Sequence, residues 1–301
     1  MPARLDRLYA PLWRCARGEL PVNVALVQLL MQACGPLEVE DAITKAIGQD
    51  SGERPGEGLD RLLRLREFWN ETPEAFATVK AVLDAVKHSR GPTPWPQSPA
   101  DWSCAFDRAA GLSPAAGVAL YSLGRTDLLF AATNEILARM REWDLLAPPH
   151  AALDIGCGSG RITTLLANEV RVVIGVDVSL AMLKAARRSA ARLDNAHVVR
   201  TSGFDLGLFR DQAFDLVCAV DSFPYLFLSG LAELHIREAT RVLKPGGSLL
   251  VLNYSYRGND ELDRADIVRL ARELDLTVRR NGTRDLEFWD GLSFLLQKRD
   301  R

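Results

Sequence analysis

The stretch Asp154-Ile155-Gly156-Cys157-Gly158-Ser159-Gly160 sets one acid ahead of three glycines at alternate positions. Glycines let a backbone turn sharply and approach a ligand that a β-carbon would repel. The helix expected to start near Arg161 offers unpaired N–H groups to an anion such as a carboxylate. A strand, loop and helix of this kind hold nucleotides in general, while glycines alone also suit a tight structural turn. Spacing separates the nucleotide classes. A dinucleotide fingerprint needs Gly-x-Gly-x-x-Gly, but counting from Gly156 puts Arg161 at the last position and counting from Gly158 puts Thr163 there.

Three more places carry groups that could move a proton or line a ligand. Asp221 closes the run Phe214-Asp215-Leu216-Val217-Cys218-Ala219-Val220, and Tyr254 and Tyr256 follow an apolar run ending near 253. All three fall where a strand should end, and each could accept a proton; Asp221 could equally cap a helix or hold a cofactor, and the tyrosines could form a pocket wall. Phe288 and Trp289, with Tyr121 and Arg125 further upstream, are candidate substrate contacts, aromatic walls and a cation for a carboxylate. His235, between Glu233 and Arg237, reads as a solvated helix residue. No cluster of histidines and carboxylates has metal-ligand spacing, so no metal is expected.

Residues from 151 onward supply the elements that must position these groups. Short β-branched runs at 152–155, 170–176, 197–201, 215–220 and 248–254 alternate with helical stretches, which predicts a parallel sheet covered on both faces. After a helix near 265–274, runs at 276–280 and 292–298 are joined by a loop too short for a crossover helix, so they should pair antiparallel. The expectation is an α/β fold: a seven-stranded, mostly parallel sheet with an antiparallel last strand.

Residues 1–110 read instead as an all-helical N-terminal domain, with 111–301 the ligand-binding one. Pro21 to Cys34 is apolar nearly all round, with Pro21 as a first-turn residue and Gly35 as a stop. Leu59, Leu62, Leu63 and Leu65, then Phe76, Val79, Leu83 and Val86, repeat the three-and-four spacing of a helix. Four prolines within 91–99 predict an extended linker or lid arm. Helices are expected at 113–123 and at 127–146, the latter capped by Thr126. This helical half would have to roof the site, because connections after the fourth and fifth strands are short.

The chain has 301 residues, 48% hydrophobic and 25% charged, with a formal net charge of -2. That is a globular composition with mass for a core and no field suited to a polyanion, so nucleic acid is not an expected partner. The five cysteines are widely spaced and form no Cys-x-x-Cys pair, the pattern of reduced thiols. Neither a secretory leader nor an 18-residue apolar run is present, which makes cytoplasmic residence, away from the membrane, the expectation.

The pattern Asp-x-Gly-x-Gly-x-Gly resembles the first motif of the class I, Rossmann-like, S-adenosylmethionine-dependent methyltransferases. Gly175-Val176-Asp177-Val178-Ser179 and Arg241-Val242-Leu243-Lys244-Pro245-Gly246-Gly247 extend the likeness over roughly residues 127–298. The resemblance implies a cradle for the methionine part of the cofactor at Gly156, Cys157, Gly158 and Gly160, with Asp154 supporting the loop and the methionine ammonium. It implies that Asp177 accepts the ribose hydroxyls, as the two oxygens of a carboxylate suit a vicinal diol. Val178 and Met182 would pack on adenine, although either also suits a core; Ser202, Gly203 and Phe204 would complete the adenine site, and Asp221 would stand beside the transferable methyl.

The activity implied by this resemblance is that of a methyltransferase, which turns S-adenosylmethionine into S-adenosylhomocysteine by in-line transfer to an O- or N-nucleophile of a small molecule. Two alternatives share the fold: a cofactor-binding scaffold without turnover, and an aminopropyl transferase. A homo-oligomer is left open.

Overall fold

The computed structural model describes residues 2–50, 56–86, 98–113, 117 and 119–300. The chain divides into two compact units, but not at residue 110. Residues 1–85, 112–135 and 286–290 form one, and residues 86–111, 136–285 and 291–301 the other.

The first unit is helical: α1 (Pro2–Ala16), α2 (Val22–Gln32), α3 (Pro36–Asp50), α4 (Glu57–Asn70) and α5 (Ala75–Val86). The all-round apolar pattern of α2 is explained by its burial, since Leu26, Leu29 and Leu30 are fully enclosed. Leu12, Ile43, Leu62 and Leu65 from α1, α3 and α4 fill the same core. Within the helix expected at 113–123, Gly117 is helical and donates to the Ser113 carbonyl at 2.8 Å, while residues 114–116 and 118 lie outside the described residues. From Leu120 to Ser122 the chain forms a 3-10 turn, which ends because Leu123 and Gly124 take left-handed angles (φ 55° and 82°). Helix α7 (Thr126–Glu142) begins at the expected threonine.

The loop 286–290 belongs to this helical unit although its neighbours in sequence do not. Buried Asn23 donates through Nδ2 to the carbonyls of Tyr121 (3.0 Å) and Phe288 (2.7 Å), and Trp289 stacks on Tyr121 at 5.4 Å. Glu135 accepts from the backbone N–H groups of Glu287 and Phe288.

The second unit holds helix α6 (Pro99–Leu112) and the sheet. Residues 91–97 of the proline-rich segment lie outside the described residues; Pro99 itself opens α6 instead of extending a linker. Ser98 caps the helix by accepting from the Asp101 N–H at 3.2 Å, and Pro99 fits the first turn because its missing N–H would have no partner there.

The strands are β1 (Ala151–Ile155), β2 (Val172–Asp177), β3 (Ala196–Arg200), β4 (Phe214–Val220), β5 (Leu243–Leu252), β6 (Leu276–Thr283) and β7 (Ser293–Lys298). They lie in the order β3-β2-β1-β4-β5-β7-β6, with β7 antiparallel to both neighbours. The order reverses at β1, between β2 and β4, and ligands of open α/β sheets bind at the carboxyl ends of strands flanking such a point. Helices α8 (Arg161–Leu166), α9 (Leu180–Ser189), α10 (Phe223–Leu228), α11 (Ala232–Val242) and α12 (Asp260–Glu273) connect them. The all-buried β1 and the five consecutive buried residues Leu216 to Val220 of β4 are what a central strand covered on both faces requires. Leu153, Val217, Leu249, Val251, Phe223, Ile236 and Phe294 centre the core.

His235 is corrected by this packing: it is 2% exposed, on the inner face of α11, with Nδ1 3.0 Å from the carbonyl of Leu231. Burial holds its pKa below the ordinary imidazole value. Among the described residues no helix is long and apolar enough to cross a membrane.

Candidate functional site

At the switch point the glycine loop leaves β1 with three left-handed residues, Gly156 (φ 72°), Gly158 (φ 55°) and Gly160 (φ 82°). Two of these glycines are demanded by the protein's own packing. A Cβ on Gly156 would stand 2.3 Å from the Cβ of Ser222, and one on Gly160 would stand 3.0 Å from the Cβ of Ala186 in α9. The loop N–H groups are engaged internally. Gly156 and Cys157 both donate to the Val176 carbonyl, Gly160 donates to the Cys157 carbonyl, and Gly158 donates to Asp177 Oδ2 at 2.8 Å. The loop is therefore set in shape before any ligand arrives.

Asp177 ends β2 and ties this loop to the next. Its Oδ1 accepts from the Ser179 N–H at 2.8 Å, and Ser179 Oγ accepts from the Met182 N–H to cap α9. The helix cap is thus Ser179, leaving Asp177 as the acid facing the loop. Burial pushes its carboxyl above the ordinary carboxylate range, and the charge of Asp107 adds to this against the backbone hydrogen bonds. Asp154 is turned inward, 1% exposed, accepting from Thr163 Oγ1 at 2.7 Å; burial pushes its pKa to about 6.

Helix α6, which the sequence pattern did not lead us to expect, lies over these loops. Asp107 Oδ1 accepts from Ser179 Oγ (2.5 Å) and from the Ala181 N–H (2.9 Å), and Ser103 Oγ donates to the Val178 carbonyl (2.9 Å). Pro99 and Val178 both crowd Gly203, where a Cβ would lie 2.9 and 2.6 Å from their side chains. Val178 and Gly203 are thereby brought together. Met182 is 2% exposed in the packing of α9, while Phe204 is 52% exposed and Ser202 is exposed beside it.

The ends of β4 and β5 form the other half of the site. Asp221 and Asn253 follow those strands in left-handed conformations (φ 58° and 68°), uncommon for residues other than glycine, although Asp and Asn tolerate the region best. Asp221 Oδ1 accepts from Asn253 Nδ2 at 2.8 Å and from the Tyr256 hydroxyl at 2.9 Å. The Tyr225 hydroxyl, from α10, lies 3.5 Å from that of Tyr256. Burial, with the charge of Asp221, pushes both phenols well above their ordinary range. The two tyrosines thus stay protonated. Trp102 and Phe106 of α6 pack edge-on to Tyr225, at 4.8 and 4.9 Å between ring centroids.

The structure parts the two tyrosines named as candidate bases. Tyr254 is 1% exposed and packs among Phe223, Phe227 and Phe294. Strand alternation would set Tyr254 and Tyr256 on one face, but β5 ends at Leu252 and the chain is irregular from the left-handed Asn253 onward, which lets the two rings diverge. Tyr121, Phe288 and Trp289 come together in the helical unit. There Arg125 is ion-paired with Asp127 (2.6 Å) and Glu71 (3.3 Å) and lies over the Phe68 ring.

Sequence reasoning missed Trp102, Phe106, Asp107, Tyr225 and Asn253. The Ser98-Pro99-x-Asp101 cap, with Trp102, Ala105, Phe106 and Ala109 at helical spacing, was a usable signal for α6. Asn253 had none, since its role depends on a backbone angle and a partner 32 residues away.

The residues fit S-adenosylmethionine. A carboxylate that already accepts from two backbone N–H groups keeps lone pairs for two ribose hydroxyls, and Asp177 is partly exposed at the loop that a positive-φ glycine row shapes.

Residues 153–251 match the family described as a methyltransferase domain. A demethylmenaquinone methyltransferase of Tropheryma whipplei is 38% identical over 104 residues, 35% of this chain and 41% of that protein. A 2-methyl-6-phytyl-1,4-hydroquinone methyltransferase of Synechocystis is 29% identical over 127 residues, 41% of this chain and 39% of that one. The chain thus spans about two fifths of the length of these relatives. Among solved structures, phosphoethanolamine N-methyltransferase 1 of Haemonchus contortus, in complex with phosphoethanolamine and S-adenosylhomocysteine, has 16% identity and a TM-score of 0.46, covering 65% of this chain and 48% of that one. Residues 153–251 thus form a methyltransferase domain, and its glycine loop, its acid at the end of β2 and its 3-2-1-4-5-7-6 sheet are those that the resemblance to the class I S-adenosylmethionine-dependent methyltransferases implies.

Proposed function

We propose that this chain is a methyltransferase acting on a small, largely apolar acceptor that bears an ionisable hydroxyl or amine, with Asp221 receiving the acceptor's proton. The observation that carries the reading is the junction of the two halves. Ser222, the residue after Asp221, touches Gly156 of the glycine loop and donates through Oγ to the Ile155 carbonyl at 2.6 Å. An acid next to the loop that cradles the methionine part of the cofactor is where proton removal is of use.

S-adenosylmethionine, when bound, supplies an electrophilic methyl group. Asp177 would hold its ribose, Gly156, Gly158 and Gly160 its methionine portion, and Val178 with Gly203 its adenine. Asn253 and Tyr256 donate to one Asp221 oxygen and fix the carboxylate in orientation. The rings of Trp102, Phe106, Tyr225 and Tyr256 make an apolar surround that disfavours water, so a flat acceptor would be desolvated there. The two curated relatives are named for aromatic acceptors, a demethylmenaquinone and a hydroquinone, which agrees with such a surround.

The test is label transfer from methyl-labelled S-adenosylmethionine to a panel of hydroquinones, phenols and amines. Expected is label in one small-molecule class, with Asp221→Asn lowering kcat about 100-fold, the scale of a lost general base, and leaving cofactor affinity within about threefold. Binding of cofactor with no label in any acceptor would favour a scaffold.

A further inference from the structure

Outside the site lies a buried acid that this mechanism does not use. Asp263, in the first turn of α12, is 4% exposed, and a carboxylate is costly to enclose unless it is paired and hydrogen-bonded. Its partners are all in the segment that follows β5. Ser255 Oγ donates to both its oxygens, at 2.8 and 3.1 Å, and Arg257 forms an ion pair with it at 2.6 Å. We infer that Asp263 is a positioning residue: by holding Ser255 and Arg257 it sets the hydroxyl of Tyr256 on the carboxylate of Asp221.

Tyr256 lies between the two anchored residues. Its hydroxyl is enclosed beside Asp221 and Tyr225, but the residue as a whole is 43% exposed, so core packing does not fix it as it fixes Tyr254, and its reach to Asp221 depends on where its backbone is held. Arg257 adds a second ion pair to Asp266 (2.8 Å) and lies 5.1 Å over the ring of Phe227. Phe227 is in α10, the helix that carries Tyr225, so one arginine ties together α10, α12 and the segment bearing Tyr256. The Arg257 N–H donates to Ser255 Oγ at 3.3 Å, closing the segment on itself. Asn259 Oδ1 accepts from the Leu262 N–H at 3.0 Å, which caps α12 and fixes the turn that presents Asp263. Before the segment, Tyr254 is locked in the core. Tyr254, Ser255 and Arg257 are therefore each tied by their side chains to the body of the sheet unit, on both sides of Tyr256 and independently of its own bond to Asp221.

The charges around these groups are few. Tyr256 faces Asp221 from the end of β4 and Tyr225 from α10; Asp263 faces Arg257 on the segment and Asp260 and Asp266 on its own helix. Burial pushes the Asp263 carboxyl up while Ser255 and Arg257 pull it down.

The consequence for turnover rests on the proton-accepting role of Asp221; the consequence for the Tyr256 hydrogen bond does not. The experiment uses the full chain with tyrosines labelled at 13Cζ, the Tyr256 resonance being identified by its loss in Tyr256→Phe. In Asp263→Asn that resonance is expected to move toward the position of a solvated tyrosine and to begin titrating at lower pH than in the wild type. Cofactor affinity should stay within about twofold while kcat falls about tenfold, the cost of a modest misplacement of an orienting group. Ser255→Ala, which removes one hydroxyl, should shift the resonance in the same direction and serves if Asp263→Asn does not fold. A Tyr256 resonance unmoved in the variants overturns the inference, whatever happens to the rate. If the wild type transfers no label to any acceptor, the functional reading fails alone, and the resonance still decides the role of Asp263.

Discussion

The two halves of the carboxyl edge are built by different means. After β1 and β2 the groups that would meet the cofactor are held by backbone: Asp177 by the N–H groups of Gly158 and Ser179, and the loop by the carbonyls of Val176 in β2 and of Cys157. After β4 and β5 the groups that would meet the acceptor are held by side chains: Asp221 by Asn253 and Tyr256, on residues in left-handed conformations. Backbone hydrogen bonds survive substitution of the residue that makes them, whereas side-chain ones do not. The first half should therefore respond to mutation locally, at the ligand, and the second should pass the effect from residue to residue.

The largest effect tests the first half. If Asp177 holds the ribose as proposed, Asp177→Ala forfeits two hydrogen bonds to a charged acceptor, together about 3–5 kcal/mol, so the cofactor Kd should rise at least about 100-fold by calorimetry. The far-ultraviolet circular dichroism should not change, because the Val176 carbonyl still organises Gly156 and Cys157. An unchanged Kd would remove Asp177 from the site. A lost fold would show that the backbone does not hold this half by itself.

A slightly smaller effect is expected where the halves touch. Gly156→Ala places a methyl 2.3 Å from the Ser222 Cβ on a residue with φ 72°, and left-handed backbone together with overpacking should cost about 2–4 kcal/mol of stability. In a double-mutant cycle with Ser222→Gly the overpacking part should return and the backbone part should not. If Ser222→Gly recovers nothing, the loops move apart freely, and the junction that places Asp221 beside the glycine loop is softer than the packing implies.

The same contrast decides how much of the molecule was legible in the sequence. The sheet was legible because β-branched runs alternating with helical stretches leave few topologies, and six strands lie within three residues of their expected ends, while β5 begins at Leu243, five residues before the expected start. Asp154, Asp177 and the glycines stood out because a backbone cradle is contiguous in sequence. On the acceptor side only Asp221 and the tyrosines were visible, and Tyr254 could not be told from Tyr256, since direction is set by how β5 ends at Asn253. The residues 91–99 read as linker, but their last proline begins α6, whose Asp107 reaches across to Ser179, 72 residues away. The aromatic loop 286–290 was read with the sheet, yet Asn23 draws it to the helical unit by hydrogen bonds to carbonyls, partners that no side-chain pattern reveals.

The smallest expected effect on stability discriminates best between the halves. Asn253→Gly relieves the left-handed backbone, worth up to about 1–2 kcal/mol, and forfeits one hydrogen bond to a charged oxygen, about 1.5–3 kcal/mol. These offset, so the variant should unfold within about 1 kcal/mol of the wild type in urea. Transfer to the acceptor should nonetheless fall about tenfold, because Asp221 Oδ1 then loses one of the two side-chain donors, Asn253 and Tyr256, that orient it. In the double variant Asn253→Gly/Tyr256→Phe the carboxylate loses both donors to Oδ1, and the rate should drop by more than the product of the single effects. A rate unchanged by Asn253→Gly would mean that the tyrosine alone suffices, that this half is also fixed from its backbone, and that the two halves of the site do not differ in kind.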